Sequence, residues 1–234
     1  MGDDIDTAAD DPRARRFGYV CNRCRKCCYD KGIQLNPYEV ARLARNRGMS
    51  TSEFRAAWTK DGAGLHLGQR EDGACVFLGS EGCSVHADRP LVCRLYPLGR
   101  VVTWDGTERF RDSETHPESH GVFTESGTIA EFLDAQGAHP FMKAADDYYF
   151  WLCAAAEHME AGGEGEAAEG EATKVSATDE TAAWDLLDMD LALARHCAEH
   201  GLAEPADIEA RRQLHLEILY QQIGQTTGGC LEPA

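Results

Sequence analysis

Lysine is scarce in this chain, with five Lys against eighteen Arg, and all the cations together are outnumbered by 40 acidic residues. The resulting net charge of -17 disfavours nucleic acid as a partner, because phosphate would be repelled by most of the surface. A Lys-poor, acid-rich balance also suits a halophilic cytoplasm. Long hydrophobic runs are missing too. The longest, near Tyr148 to Ala156, is far too short to span a bilayer, and the acidic start MGDDIDTAADD is unlike a signal peptide, which is basic and then apolar. The expectation is a cytoplasmic protein with no membrane association. A nucleotide or methyl-donor fingerprint is likewise absent: the glycines of AGGEGEAAEGE, Ala161 to Glu171, follow no strand, and their neighbouring carboxylates repel phosphate.

Cysteine is what the chain has in abundance, ten in all. A chain of 234 residues buries a core without covalent staples, and cytoplasmic thiols stay reduced, so these cysteines point to metal or redox chemistry. Four of them fall in the eight residues Cys21 to Cys28, read CNRCRKCC, which is too dense for packing by a small, reactive side chain. A second set, Cys75, Cys83 and Cys93, lies in a Gly-rich and Pro-bearing stretch whose irregular backbone can aim thiolates from distant points. The candidate metal ligands are therefore Cys21, Cys24, Cys27, Cys28, Cys75, Cys83 and Cys93. Neighbours Cys27 and Cys28 point in different directions in most backbones, so the distant cysteines become the expected completion of the coordination. Cys153, Cys197 and Cys230 read as small hydrophobes or incidental thiols, His86 as a surface or hydrogen-bonded residue, and His116 to His120 (HPESH) as a turn loop.

The charge is unevenly placed. Arg13 to Arg111 holds eighteen basic and ten acidic residues, a local excess of +8 inside an acidic protein. Four thiolates around a doubly charged zinc ion or iron-sulphur core leave a net charge of about -2. Arg23, Arg25, Lys26, Arg89 and Arg94 stand beside cysteines in sequence, where cations lower thiol pKa and offset that charge.

The fold class expected is α+β: a small cysteine-rich metal-binding core with loops and a β-hairpin, surrounded by helices, plus a C-terminal helical hairpin. Residues 1–16 read as a disordered acidic lead, 17–160 as the metal-binding domain, 161–177 as an acidic flexible linker and 178–234 as the hairpin. Asn36-Pro37 starts a helix that Gly48 stops, Ser50 and Glu53 form a capping box for another, and Phe54 and Trp58 read as core. Asp105-Gly106 between two alternating runs predicts a type I′ hairpin over Arg100 to Arg111. Helices are expected over Thr128 to Gln136, Pro140 to Glu160, Thr178 to His200 and Pro205 to Ile223.

CNRCRKCC, then Cys75 in a CxFL setting, then Cys83 to Cys93 with Arg89-Pro90 inside and Arg94 after it, resembles the CxxCxxCC (YkgJ-type) cysteine-cluster family over roughly Phe17 to Leu98. The resemblance implies zinc or iron chelation by these seven thiols. A distant resemblance to flagellin lysine N-methylase implies an iron-sulphur protein, with a 4Fe-4S cluster favoured over zinc as cofactor. It also admits a methyl-donor-dependent enzyme acting on a protein substrate, against which stands the missing donor fingerprint. The remaining alternative is a non-catalytic module in which zinc fixes a basic surface for nucleic acid or an acidic partner. The sequence presents no catalytic or cofactor-binding constellation beside the cysteines and assigns no oligomeric state.

Overall fold

The computed structural model describes residues 11–62, 64–162 and 184–224. It is an α+β structure in which helices surround three small antiparallel strand pairs. Helix α1 (Pro37–Arg47) is the hub. Asn36 accepts from the Glu39 amide and Glu39 returns the bond to the Asn36 amide, closing a capping box, while Gly48 ends the helix in the left-handed region. Sequence periodicity marks one apolar face, Val40, Leu43 and Ala44. The folded helix buries more than that: Tyr38 joins one apolar cluster, Val40 and Leu43 a second, and Ala41 a third.

Helix α2 (Thr51–Trp58) carries the expected Ser50/Glu53 capping box and places Phe54 in the core, with Trp58 packed against it. Strand β1 (Arg16–Val20) pairs antiparallel with β6 (Val122–Thr128), a strand with no counterpart in the sequence reading; its partner lies about a hundred residues away. The lead is ordered from Asp11 onward: a 3-10 turn at Pro12–Ala14 is held to the sheet edge by Arg13 to Glu108 and Arg15 to Asp112 ion pairs. The rest of the lead lies outside the described residues, as does the acidic linker beyond its first two positions.

The hairpin of β4 (Leu98–Val102) and β5 (Glu108–Asp112) forms where expected, but its turn is different. Thr103 accepts from the Gly106 amide and its own amide bonds Thr107, so Trp104 and Asp105 occupy the turn centre and Gly106, at φ +81°, takes the left-handed bulge position. A type I′ turn would need positive φ at Asp105 as well, and Asp105 does not adopt it. Asp105 instead accepts from the Thr103 hydroxyl and the Thr107 amide, a local pattern that favours this longer loop.

Helix α4 (Ile129–Ala135), capped by Thr128, leads into α5 (His139–Gly162). The helix expected over Thr178 to His200 is interrupted: Asp188 leaves helical geometry and caps α6 (Met189–His200). The reason is tertiary. Asp188 is buried against Arg55 and the hydroxyls of Thr51 and Ser52 on α2, contacts an uninterrupted helix would not present. Positions 178–183 lie outside the described residues. Helix α7 (Ile208–Gln222) starts at the Asp207 cap, and α6 and α7 dock on α1, α2 and α5. No helix among the described residues is long and apolar enough to cross a membrane.

His215 on α7 is fully buried, its Nε2 donating to the Leu186 carbonyl at 2.9 Å and its Nδ1 accepting from the Tyr148 hydroxyl at 2.9 Å. Burial lowers its pKa to about 4, so the neutral ring is the native form. With the folded value below the unfolded one of about 6.5, this stability is present above pH 6.5 and lost as pH falls toward 4. Thermal or urea unfolding across that window should show a loss of about 3 kcal/mol that is absent in His215→Gln. An equal pH slope in the two proteins would refute it.

Candidate metal centre

The clasp from Cys21 to Cys28 is built from an unusual backbone. Arg23 and Arg25 sit at φ +52° and +66°, in the left-handed region that side chains other than glycine rarely take. The cost, about 1–2 kcal/mol at each position, is offset by what the turn achieves. It sets the Lys26 amide near the Cys24 sulphur, where it favours the thiolate, and it hands the chain to a 3-10 turn at Lys26–Cys28.

The same amide pattern recurs at the distant cysteines. The Phe77 amide stands near Cys75 and the Val85 amide near Cys83, again two residues on, and each favours the thiolate. Phe77 and Val85 are themselves buried in the core shared with Ile33, Leu35 and Phe54, so both donors are fixed by packing. Cys75 is tied to the clasp through the main chain, its amide donating to the Cys28 carbonyl at 2.8 Å. Cys83 lies on the two-residue strand β3 (Gly82–Cys83), opposite Leu78 of β2 (Leu78–Gly79). Cys93 sits in the short helix α3 (Leu91–Leu95). Cys75, Cys83 and Cys93 all pack, half-buried, against that same apolar cluster.

The thiols sense one another. The Cys27 and Cys28 sulphurs are 3.9 Å apart, and Cys28, as donor, brings Cys27 down to about 7 while its own proton becomes harder to remove. Cys93 is pushed up, first by burial and then by Cys75, Cys83 and Cys27. Burial likewise raises Cys75 and Cys83 against their amide bonds. Cys24 is lowered: burial opposes ionisation, but the His120 and Lys26 amides and the Ser119 hydroxyl together outweigh it. Cys21 is exposed and stands near Arg89. Among the described residues no three His, Cys, Asp or Glu side chains stand closed in metal-ligand geometry.

The neighbouring cations are used differently from their sequence reading. Arg89 does act on thiols, sensing Cys93, Cys83 and Cys21. Arg25 instead donates to the Ser80 carbonyl at 2.7 Å, joining the clasp to the β2–β3 turn, and Lys26 pairs with Glu118. Two further cations, Lys31 and Arg70, each a few residues from the cysteine it reaches, favour the thiolates of Cys27 and Cys75. Arg94 is buried and structural: its guanidinium donates to the carbonyls of Arg89, Gln136 and Ala87 and lies 3.8 Å from the Phe141 ring centroid. Burial lowers its pKa to about 10, which leaves it charged at neutral pH.

Residues that the sequence reading passed over also shape the site. Buried Glu39 accepts from the Leu91 amide with one oxygen and from the Asn36 amide with the other, fastening α3, and with it Cys93, to the start of α1. Burial raises its carboxyl to about 7 against those donors. The HPESH stretch does form a turn, Ser119 amide to His116 carbonyl, but the turn is docked on the clasp. Its His120 amide reaches the Cys24 sulphur at 3.5 Å. The letters alone carried no signal for that contact. His86 is exposed and surrounded by Arg89, Arg94 and Arg23, so it reads as a surface residue here too. Cys197 is buried as a small hydrophobe, and Cys230 lies outside the described residues.

The donor set is all sulphur, which suits zinc or iron and does not suit magnesium or calcium, whose ligands are oxygens. Residues 20–117 match the model of the CxxCxxCC family, described as "Putative zinc- or iron-chelating domain". No curated protein matches the chain, and no solved structure matches it. The family match supports zinc or iron chelation as the function of this segment.

Proposed function

We propose that the segment matching the chelating-domain model holds a 4Fe-4S cluster through thiolates drawn from Cys21, Cys24, Cys27, Cys28, Cys75, Cys83 and Cys93. The observation that carries this reading is the convergence of the distant cysteines on the clasp: the Cys75 amide donates to the Cys28 carbonyl at 2.8 Å, and Cys75, Cys83 and Cys93 pack against one apolar cluster. An amide at sulphur stabilises a thiolate, the form that binds metal, and the His120 amide stands so at Cys24, at 3.5 Å. Seven thiols exceed the four that one tetrahedral ion or one four-iron cluster takes, and the apolar wall of Phe77 and Val85 limits solvent access, which tunes a cluster's potential. When bound, a cluster supplies one-electron transfer or a cross-link between distant parts of the chain.

Zinc is the second reading, favoured by the Cys24-x-x-Cys27 turn with the Lys26 amide near Cys24, which would serve a structural zinc equally well. Anaerobic purification with iron, acid-labile sulphide and zinc analysis separates the two. Iron and sulphide in comparable amounts, lost in Cys83→Ser, are expected. Stoichiometric zinc without sulphide would replace the cluster by zinc, and a metal-free protein indifferent to Cys83→Ser would overturn both.

A further inference from the structure

The turn at residues 116–121 lies against the clasp through four separate contacts and against Tyr19 of β1 through a fifth. The His120 amide donates to the Cys24 sulphur at 3.5 Å, and the Ser119 hydroxyl stands 3.9 Å from the same atom. Asn22, inside the clasp, donates its side-chain amide to the His120 carbonyl at 2.6 Å. Lys26 pairs with Glu118, and the Tyr19 hydroxyl meets Ser119 at 3.2 Å. Gly121 completes the fit. A β-carbon there would lie 1.8 Å from the Tyr19 hydroxyl, so the phenol occupies the space a side chain would take.

We propose that the Ser119–His120 turn is a positioning element for the metal centre, holding Cys24 by an amide-to-sulphur bond as a metal ligand. The inference rests on the metal-centre reading. It goes beyond that reading because Glu118, Ser119 and His120 lie past the end of the family match, so the centre draws a donor from a part of the chain that the match does not cover. The clasp by itself offers Cys24 one amide, from Lys26. The turn adds a second amide and a hydroxyl, and Asn22 and Lys26 lock it in place. Outer contacts of this kind hold ligands in orientation and are worth about 10-fold to 100-fold in metal affinity when removed.

Proline at 120 removes the amide while alanine keeps it, so His120→Pro against His120→Ala isolates the bond. The proteins are stripped of metal and loaded with Zn(II) in competition with a chelating dye, and a second set is purified anaerobically for reduction-potential measurement. His120→Pro is expected to lose zinc affinity about 10-fold or more while His120→Ala matches wild type. Any cluster present should shift to a more negative potential in the proline variant, since an amide on sulphur favours the more negative reduced state. Ser119→Ala, which leaves the backbone intact, should weaken zinc in the same direction and guards against a proline variant that fails to fold. Wild type that binds metal, loses it in Cys24→Ser and is indifferent to both His120→Pro and Ser119→Ala would overturn the positioning role alone. Wild type that binds neither zinc nor iron would overturn the metal centre beneath it.

Discussion

Stripping the metal from the purified protein is expected to unfold the cysteine-bearing lobe selectively and to lower its stability by about 4 kcal/mol or more. The figure follows from loop closure: a cross-link joining the clasp to Cys93 closes about seventy residues, a span for which chain entropy gives roughly 4 kcal/mol. Besides the metal, that loop is held by the Glu39 bond to the Leu91 amide and by the apolar cluster of Phe77 and Val85. Between the clasp and α3 the regular pairing consists of the two-residue strands β2 and β3 and isolated bridges such as Tyr29 to Ala74 and Gln69 to Cys75. The helical remainder has its own apolar clusters, built on α1, α5, α6 and α7, and these owe nothing to the thiols. Hydrogen exchange after chelation should therefore rise steeply over residues 64–90 and stay slow in α5 and α7, because metal binding and folding are coupled only where the ligands are. Uniform exchange, or an unchanged melting curve after complete metal removal, would contradict the account.

Arg94→Ala should be the most damaging single substitution outside the cysteines, at about 3–5 kcal/mol. One buried guanidinium satisfies the carbonyls of Ala87, Arg89 and Gln136 and stacks on Phe141. Truncation leaves three carbonyls without that donor, and bonds from a charged donor are worth about 1.5–3 kcal/mol each; removal of a desolvated charge offsets part of the sum. Arg94→Lys keeps the charge but loses the planar fork, so it should recover only a minor part. Because the same residue holds the stretch between Cys83 and Cys93 against the α4–α5 junction, metal content should fall in step with stability. Urea midpoints with an unchanged slope would give the measurement. A cost under about 1 kcal/mol, smaller than a single such bond, would show that the carbonyls find other donors.

Much of the helical framework was legible in the chain itself, for a local reason. Capping boxes at Asn36, Ser50 and Thr128 involve residues three apart, so the helix starts follow from short-range chemistry that any reader of the sequence can see. The density of thiols from Cys21 to Cys28 and the spacing of Cys75, Cys83 and Cys93 pointed to metal chelation, because no packing requirement produces such a pattern. The charge of Arg94 was visible as well, but its role was misjudged: proximity in sequence to Cys93 suggested a thiolate counter-ion, and its partners proved to be carbonyls, one of them from the α4–α5 junction.

What only the tertiary structure decided were contacts between segments far apart in sequence. The pairing of β1 with β6 is one, and it carries the 116–121 turn to the clasp. The break at Asp188 is another, since a helical pattern gives way only when a buried partner such as Arg55 stands at the right place. The sequence by itself determined the chemistry of the candidate ligands, sulphur and more of it than one ion needs. The fold decided which amides face those sulphurs, because hydrogen-bond direction depends on backbone angles such as those of Arg23 and Arg25, and nothing in a residue's identity predicts a left-handed arginine.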